Sequence, residues 1–274
     1  MSRVQGFLRE DIGEGDITTR ALIGNQMGAG RVFAREECAV AGVEEAQDVF
    51  TALGLWSTAK VRDGESVLGG TEVLYVEGLL GSILTGERVA LNFLMEMSGI
   101  ATATRDVVLA CREMNPHIII AATRKTTPGF RHYQKKAVTL GGGDPHRFSL
   151  DDAILIKDNH LAVVGSITEA VRRAKRAYFT KKVEVEVIDL DGAEEAARAS
   201  ADNILLDNMA PSLAKQCSRA IKAIDARILV EASGGITPQT APAYAEAVDI
   251  ISLGWLTHSS RSINFSLDIV EIKK

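Results

Sequence analysis

The chain of 274 residues carries a formal net charge of −5, with 46% hydrophobic and 24% charged residues. This length allows one large α/β barrel or two domains, and the composition is that of an ordinary globular protein. The acidic balance argues against general nucleic-acid binding, and no stretch approaches the roughly 18 uninterrupted apolar residues that a membrane span requires.

The first hundred residues have a mixed character. An acidic, glycine-punctuated segment, EDIGEGDITT (10–19), precedes a helix predicted from about Val43 to Leu53. Strand-like pieces such as TEVLYVEG (71–78) follow, and then a helix with apolar periodicity from about Leu84 to Met97. These features predict an α+β domain with an antiparallel sheet.

After residue 100, strands and helices alternate. Strands are predicted at 117–123, 153–157, 182–188, 203–207, 227–233 and 249–254, and helices at 166–179, 191–200, 210–224 and 237–247. Ser166 and Glu169 form a capping-box pattern at the start of the first of these helices. Such alternation predicts parallel βαβ units, and about six of them with right-handed crossovers favour a barrel over a doubly wound open sheet.

The last stretch, INFSLDIVEI (263–272), alternates like a strand that returns to pair with the first domain. We therefore expect an N-terminal domain of residues 1–101 together with 262–274. Residues 102–261 would form the catalytic domain.

Polar residues and glycines follow the predicted strands. In parallel α/β folds the active site lies at the carboxyl ends of the strands, so these residues predict one convergent site. They are Arg124, Lys125, Lys157, Glu186, Asp207, Ser233, Gly234, Gly235 and Gly254. Taken singly, Lys157 could be an ordinary loop residue, Asp207 a helix cap and the Ser-Gly-Gly sequence only a turn.

Glu184 and Glu186 share one face of their strand, because side chains alternate with a period of two. A carboxylate inside a barrel is costly unless it is paired or binds something. Glu186 lies closer to the carboxyl end and can reach the mouth, whereas Glu184 could pair within the barrel.

A phosphate seat is predicted at the two glycines Gly234 and Gly235. They precede a helix expected to begin near Thr237, so free backbone N–H groups and the helix dipole would favour an anion. In barrels, phosphate sites favour the last two strand–helix loops, which here begin at Ser233 and Gly254.

The segment TRKTTPGFRHYQKKAVTLGGGDPHR (123–147) gathers positive charge in an acidic chain. Its centre predicts a helix from about Phe130 to Leu140, whose solvent-facing side would carry Arg131, Lys135 and Lys136. The triple glycine at 141–143 would let the backbone approach a ligand closely.

The cations at the two ends of this segment differ from those of the helix, because they meet the strand ends. Arg124, Lys125, His146 and Arg147 predict a polyanionic ligand, since arginine forks match carboxylates and phosphates. Two acids across the same mouth, Glu186 and Asp207, would suit sugar hydroxyls or Mg²⁺. These features together describe a phosphorylated sugar that bears pyrophosphate.

Nine motifs carry a resemblance to the quinolinate phosphoribosyltransferase family. They are EDIGEGDITT, ERVALNFLMEMSGIAT, TRKTTPGFR, KKAVTLGGGDPHR, ILIKDNH, VEVEV, ILLDN, EASGGIT and ISLGWLTHS. Their order and spacing resemble the family over essentially the whole chain. The resemblance implies an N-terminal α/β sandwich, an open α/β barrel and a C-terminal tail that packs on the first domain. It also implies transfer of phosphoribose to quinolinate with loss of pyrophosphate and CO₂, in NAD biosynthesis.

The resemblance further implies the roles of individual residues. Quinolinate and pyrophosphate would be bound by Arg124, Lys125, Thr126, His146, Arg147 and Lys157. Glu186 and Asp207 would face the ribose and bind Mg²⁺, and with Lys125 and Lys157 would be catalytic. Ser233, Gly234, Gly235 and Gly254 would seat the 5′-phosphate, next to an unusually large Trp255. Arg88 would reach the neighbouring subunit's site, which implies a homodimer or a higher oligomer.

Three alternatives stay open at this point. The first is the molybdenum-transport-associated relative of this family, although the intact KDNH and TRKTTPG blocks disfavour it. The second is an aldolase with Lys157 as the Schiff-base lysine. The third is an anion- or RNA-binding protein that uses residues 124–147, which carry few aromatic side chains for base stacking.

The cysteines and the N-terminal sequence predict the cellular compartment of the protein. Cys38, Cys111 and Cys217 fit no zinc spacing and suggest no disulfide framework. The N-terminus has no apolar signal region. We therefore expect a cytoplasmic protein with reduced thiols.

Overall fold

The computed structural model describes residues 4–273. These residues form two compact units, one of residues 4–102 and 260–273 and the other of residues 103–259. The predicted domain limits at residues 1 and 274 lie outside the described residues. None of the described helices combines the length and apolar character that a membrane span requires.

The first unit is built on a four-stranded antiparallel sheet. Its order is β12 (Phe265–Lys273), β1 (Met27–Ala34), β5 (Glu72–Leu79) and β3 (Trp56–Ala59). The predicted antiparallel sheet and the returning C-terminal tail are both confirmed, because β12 pairs with β1 over its whole length. A small pair, β2 (Cys38–Ala39) and β4 (Ser66–Val67), lies outside this sheet.

Strand β1 has no counterpart in the sequence prediction, although it lies inside the sheet. Glycine weakens the strand pattern, since it has low β propensity. At Gly28 the reason for glycine is steric: a Cβ there would lie 2.6 Å from Leu80 Cδ2 and 2.3 Å from the Glu271 carbonyl oxygen. Packing in the sheet therefore requires glycine at position 28, and glycine is also the residue that weakens the sequence pattern of a strand.

Four helices begin in this unit: α1 (Gln5–Ile12), α2 (Ile17–Leu22), α3 (Val43–Ala52) and α4 (Leu80–Arg112). One acid of the segment 10–19 has a local role, because Asp16 caps α2 by accepting the Thr19 N–H at 2.9 Å. Helix α4 is much longer than the predicted 84–97 and contains the boundary between the two units.

The second unit contains the predicted parallel sheet. Its strands are β6 (Ile119–Ala121), β7 (Ile154–Ile156), β8 (Val183–Val187), β9 (Asn203–Asp207), β10 (Leu229–Ser233) and β11 (Ile250–Ser252). The order is β6-β11-β10-β9-β8-β7, with every pairing parallel. This is a cyclic order broken only between β6 and β7 within the described sheet, so the open α/β barrel is confirmed and a doubly wound sheet is not formed.

The helices of this unit are α5 (Arg131–Leu140), α6 (Asp158–Val164), α7 (Ile167–Ala177), α8 (Leu190–Arg198), α9 (Pro211–Ile224) and α10 (Trp255–His258). Ser166 caps α7 as expected by accepting the Glu169 N–H at 3.2 Å. The helix predicted over 237–247 is wrong: only a 3₁₀ turn forms, at Ala241–Tyr244. Two prolines, Pro238 and Pro242, remove backbone donors that a regular helix would use.

One expectation about the basic segment is also wrong. Lys135 was expected on the solvent side of α5, but its exposed fraction is 0%. The triple glycine approaches a strand: a Cβ at Gly143 would lie 2.8 Å from Thr104 Cγ2 and 3.0 Å from the Ile120 carbonyl oxygen. The chain then runs parallel to β6, where the Asp144 N–H donates to Ile120 at 2.7 Å.

Candidate active site

A cavity of about 300 Å³ opens among the carboxyl ends of the barrel strands. The predicted site residues that line it are Arg124, Lys125, His146, Arg147, Lys157, Glu186, Asp207 and Ser233. The sequence analysis assigned no role to three further polar residues in the lining, Thr123, Glu231 and Ser252. Residues from every strand of the sheet or from the loops that follow the strands therefore meet in one cavity of the second unit.

Two arginines form what we call the cationic pair, Arg124 and Arg147. Arg124 Nε is buried and has no hydrogen-bond acceptor among the described residues. Arg147 Nη1 donates to the Ala153 carbonyl oxygen at 3.3 Å. Burial, and then the repulsion of Arg124, lower the pKa of Arg147. A buried donor without an acceptor is costly, so the cationic pair is suited to an anion that enters the cavity.

The mouth of the cavity carries an ion pair between Lys157 Nζ and Glu186 Oε2. Lys157 lies between β7 and α6, and its backbone N–H donates to His160 Nδ1 at 2.9 Å. The third mouth residue is Asp207 at the end of β9, whose Oδ2 accepts from Asn208 Nδ2 at 2.7 Å. One cation and two carboxylates at the mouth form a polar rim of mixed charge.

A second group, the acidic cluster, consists of Glu184, Glu231, His146 and Ser252. The two glutamates are 3% and 1% exposed. His146 Nε2 lies 3.2 Å from Glu231 Oε2 and 3.7 Å from Glu184 Oε2. Ser252 Oγ donates to Glu231 Oε1. The carboxylates therefore face one histidine deep in the barrel, as the alternative for Glu184 anticipated.

The two glutamates of the acidic cluster divide one negative charge. Burial, and then the neighbouring Glu231 carboxylate, raise the pKa of Glu184 to about 9. Burial also acts to raise the pKa of Glu231, but hydrogen bonds from His146 and Ser252 outweigh it and the pKa is lowered. Near neutral pH, Glu184 is protonated and Glu231 is ionised, because two adjacent buried carboxylates do not both ionise.

The sequence contained a signal for Glu231. It lies in β10 between two buried residues, Val230 and Ala232, and a charged side chain in a buried strand requires a partner. It is also two positions before Ser233, so both side chains lie on the same face of the strand. The face that carries Ser233 toward the cavity therefore carries Glu231 as well.

The predicted phosphate seat differs from expectation, because no α-helix follows the glycines. Gly234 has φ 92°, and a Cβ there would lie 2.4 Å from Asn208 Oδ1. Gly254 packs against a site residue, since a Cβ would lie 3.0 Å from Lys125 Cδ. The helix-dipole argument fails here, and the reason that the structure provides for these glycines is close packing.

Five predicted residues lie outside the cavity lining: Arg88, Thr126, Gly234, Gly235 and Gly254. Thr126 Oγ1 accepts a hydrogen bond from Arg131 Nε at 2.9 Å, which indicates a supporting position. Arg88 is exposed on α4 in the first unit. Its role across a subunit interface stays a prediction.

The fold and the cavity define a class of protein: an open α/β barrel with a pocket at the carboxyl ends of its strands that is lined by four Lys and Arg side chains. The family model for the N-terminal domain of quinolinate phosphoribosyl transferase matches residues 16–98, and the model for its C-terminal domain matches residues 100–268. The chain belongs to the quinolinate phosphoribosyltransferase family.

Curated relatives and solved structures agree with this family. The chain is 46% identical to a probable nicotinate-nucleotide pyrophosphorylase [carboxylating] of Methanothermobacter thermautotrophicus, over 100% of both chains. It is 38% identical to the human nicotinate-nucleotide pyrophosphorylase [carboxylating], over 97% of this chain and 90% of the relative. The crystal structure of NadC from Streptococcus pyogenes superposes with a TM-score of 0.91 at 41% identity, covering 98% and 96% of the two chains.

Proposed function

We propose that this chain transfers phosphoribose from phosphoribosyl pyrophosphate to quinolinate and decarboxylates the product, giving nicotinate mononucleotide, pyrophosphate and CO₂. It is a pentosyltransferase enzyme, as its family and full-length relatives indicate. The observation that carries the proposal is the half-buried cationic pair, whose buried Arg124 Nε has no acceptor among the described residues. A substrate with two neighbouring carboxylates supplies the acceptors that this pair requires.

The acceptor substrate would be held by the cationic pair together with His146. Quinolinate carries carboxylates at adjacent ring positions, and two arginine forks can each bind one of them. Nicotinate has only one carboxylate and would leave part of this positive charge unpaired, which favours quinolinate. His146 is suited to this task because Glu231 fixes its ring through a contact of 3.2 Å.

The donor substrate would lie toward the mouth, near Lys125, Lys157 and the two mouth acids. Glu186 and Asp207 fit Mg²⁺, because hard carboxylate oxygens and substrate phosphates are its usual ligands. When bound there, Mg²⁺ would supply charge neutralisation for the pyrophosphate. Lys125 and Lys157 would stabilise the negative charge of the departing pyrophosphate from the protein side.

The protein contributes mainly position and charge to the reaction. Holding the pyridine nitrogen in line with the ribose carbon accounts for much of the acceleration, since both reactants lose their freedom beforehand. After the transfer the ring nitrogen is cationic and can accept the electrons left when the 2-carboxylate departs as CO₂. The chain needs only to hold that carboxylate where it can leave.

We further propose a homodimer or higher oligomer in which Arg88 serves the neighbouring subunit's site. Its exposed position on α4 leaves the side chain available for this contact. A cytoplasmic location is supported by three buried free cysteines, which are typical of a reducing compartment. An oligomer-state measurement, and mixing of R88A subunits with subunits inactivated at Arg147, would test the shared site: recovery of activity is expected on mixing, and no recovery would contradict it.

The alternative functions gain no support. Lys157 is ion-paired with Glu186 and its side chain is 44% exposed, whereas a Schiff-base lysine requires a mostly apolar pocket. The cations at 124 and 147 line a cavity and do not form an open surface for RNA. The molybdenum-transport-associated relative gains no support from the full-length relatives described above, which carry the name nicotinate-nucleotide pyrophosphorylase [carboxylating].

The test is incubation with phosphoribosyl pyrophosphate, Mg²⁺ and either quinolinate or nicotinate, with CO₂ and mononucleotide both measured. Quinolinate should give equal amounts of the two products. Mononucleotide from nicotinate alone would contradict the assigned acceptor, and no mononucleotide from either acid would overturn the function. Removal of Mg²⁺ by a chelator should abolish turnover, and unchanged turnover would remove the metal from the proposal.

A further inference from the structure

Helix α5 lies between two loops that carry the acceptor-binding cations. We call residues 124–127 the first loop and residues 145–148 the second loop. Three side chains of the helix bind these loops, namely Arg131, Gln134 and Lys135. None of them lines the cavity.

Lys135 is the least expected of the three. Its exposed fraction is 0%, and Nζ donates to the Pro145 carbonyl oxygen of the second loop. Nζ also lies 5.4 Å from the centre of the Phe148 ring. No carboxylate oxygen of the described residues forms a salt bridge with it. Burial, and then the positive charge of Arg131, lower the pKa of Lys135 to about 8.

A buried ammonium group with no carboxylate in ion-pair contact is costly here, because the charges of Asp144 and Asp152 do not outweigh the loss of water and the repulsion of Arg131. An apolar side chain of similar length would avoid this cost. The lysine therefore requires a reason other than stability, and both the hydrogen bond and the ring contact of its ammonium group are with the second loop.

The backbone of the second loop has a strained conformation that requires contacts to stabilise it. His146 has φ 51°, in the left-handed region that non-glycine residues seldom adopt. Its N–H donates to Asp144 Oδ1 at 2.6 Å, and the preceding carbonyl accepts from Lys135. Strained backbone persists only where the surroundings determine it, and it is common at functional sites.

Gln134 holds the first loop in a comparable way. Its side chain is fully buried, and Oε1 accepts the Thr127 N–H at 2.9 Å. Its Nε2 donates to the Thr257 carbonyl oxygen at 2.9 Å, and Thr257 Oγ1 donates to the Lys125 carbonyl oxygen at 2.7 Å. Two backbone groups of the first loop are thus tied to one glutamine, the Thr127 N–H directly and the Lys125 carbonyl through Thr257.

Arg131 connects the two loops directly. Its Nε donates to Thr126 Oγ1 and its Nη1 donates to the Phe148 carbonyl oxygen, each at 2.9 Å. A single planar guanidinium group therefore bonds to both loops, and its rigid shape fixes the distance between them.

We propose that α5 is a brace that sets the separation of the two loops, and that Lys135 is a positioning residue that aims His146 and Arg147 at the dicarboxylate acceptor. This inference rests on the proposed function for the identity of the acceptor. It assigns the binding geometry of the second loop to a side chain that does not touch the substrate.

The test compares K135M with the wild-type enzyme, because methionine keeps the length and removes the charge and the donor. The Michaelis constant for quinolinate should rise at least about tenfold, with kcat and the constant for phosphoribosyl pyrophosphate within about threefold. The melting temperature should stay the same or rise, since a costly buried charge is gone. The matched control is K215M, an exposed lysine of the same unit, which should behave as wild type.

A pH series adds a readout that a purely structural role would not move. The charged groups that act on Lys135 are Arg131, Asp144, Asp152 and Arg124. In the wild-type enzyme, quinolinate binding should weaken as the pH rises through about 8 and the ammonium group loses its proton. The same step should be missing in K135M.

Direct binding separates this inference from the proposed function. Phthalate carries the same adjacent carboxylates but no ring nitrogen, so calorimetry measures its affinity without turnover. A tenfold weaker affinity in K135M supports the brace even if the wild-type enzyme forms no mononucleotide, in which case the proposed function fails alone. Wild-type affinity in K135M overturns the brace, as does loss of melting temperature with equal loss in all kinetic constants.

If K135M does not fold, R131M provides the second variant, because Arg131 is only half-buried. It removes both hydrogen bonds between the loops and should weaken phthalate and quinolinate binding in the same direction by at least about threefold. Unchanged affinity in R131M would also overturn the brace.

Discussion

The cationic pair and the acidic cluster both bring like charges together in one barrel, but they relieve the repulsion differently. In the acidic cluster, Glu184 keeps a proton and Glu231 accepts from His146 and Ser252. In the cationic pair, arginines cannot give up their protons, and Arg124 Nε is left without an acceptor among the described residues. In the first region the chain itself neutralises the charge, although Glu184 Oε1 has no hydrogen-bond partner among the described residues, and the second region is suited to an anionic ligand.

This difference indicates which buried charges bind and which ones support. Titratable carboxylates can neutralise each other inside a fold, so their presence does not require a ligand. Guanidinium groups keep their charge, so a buried one needs an acceptor, and the described residues leave Arg124 Nε of the cationic pair without one. We therefore assign acceptor binding to Arg124 and Arg147, and support of His146 to Glu231.

The largest expected effect comes from the cationic pair. R147A should leave one carboxylate of quinolinate partly unpaired, at a cost of about 2–5 kcal/mol, or roughly 30-fold to several thousand-fold in kcat/KM. Steady-state kinetics with quinolinate measure it, with R198A on the exposed face of α8 as the control. Normal kcat and KM in R147A would show that this arginine is misplaced in our account.

A smaller effect is expected from the acidic cluster. E231Q removes the charge that holds His146 but keeps a group that can accept from Ser252. The Michaelis constant for quinolinate should rise about tenfold, and the free energy of unfolding should fall by about 1–3 kcal/mol at pH 7. Kinetics and urea unfolding measure the two. If E231Q had the wild-type Michaelis constant and the wild-type free energy of unfolding, the assignment of the negative charge to Glu231 would be contradicted.

The smallest effect on activity is expected for E184Q, because glutamine resembles the protonated acid. Turnover at pH 7 should stay within about threefold of wild type. The same substitution at two neighbouring glutamates is thus expected to give different results. Equal loss of activity in E184Q and E231Q would show that the two carboxylates share the charge evenly.

Glu184 also predicts a pH dependence of stability. Its pKa in the folded protein, about 9, exceeds the ordinary value of 4.5, so the folded state binds more protons between these values. The unfolding free energy should therefore fall as the pH rises through this window, by up to about 1.4 kcal/mol per pH unit. E184Q should lack this slope and be the more stable protein at pH 8.5. Urea unfolding from pH 5 to 9 checks this, and parallel slopes would refute it.

Much of the barrel and of the cavity could be predicted from local patterns. The strands and helices after residue 100 have distinct periods, and their carboxyl ends necessarily meet at one end of a parallel barrel. That geometry brought Arg124, Lys157 and Asp207 together without any knowledge of distances. Strand β1 could not be predicted from its local pattern, because packing requires glycine at positions such as Gly28 and glycine is not typical of strands.

Sequence alone therefore determined the order of elements, the family and most of the residues at the cavity, since these depend on neighbours along the chain and on the rule for parallel strands. Tertiary structure alone decided the environment of each charge. Lys135 was expected in solvent and is buried, and Glu231 meets His146 across 85 positions of sequence. Burial and partners arise from segments that are distant along the chain, and no local periodicity contains that information.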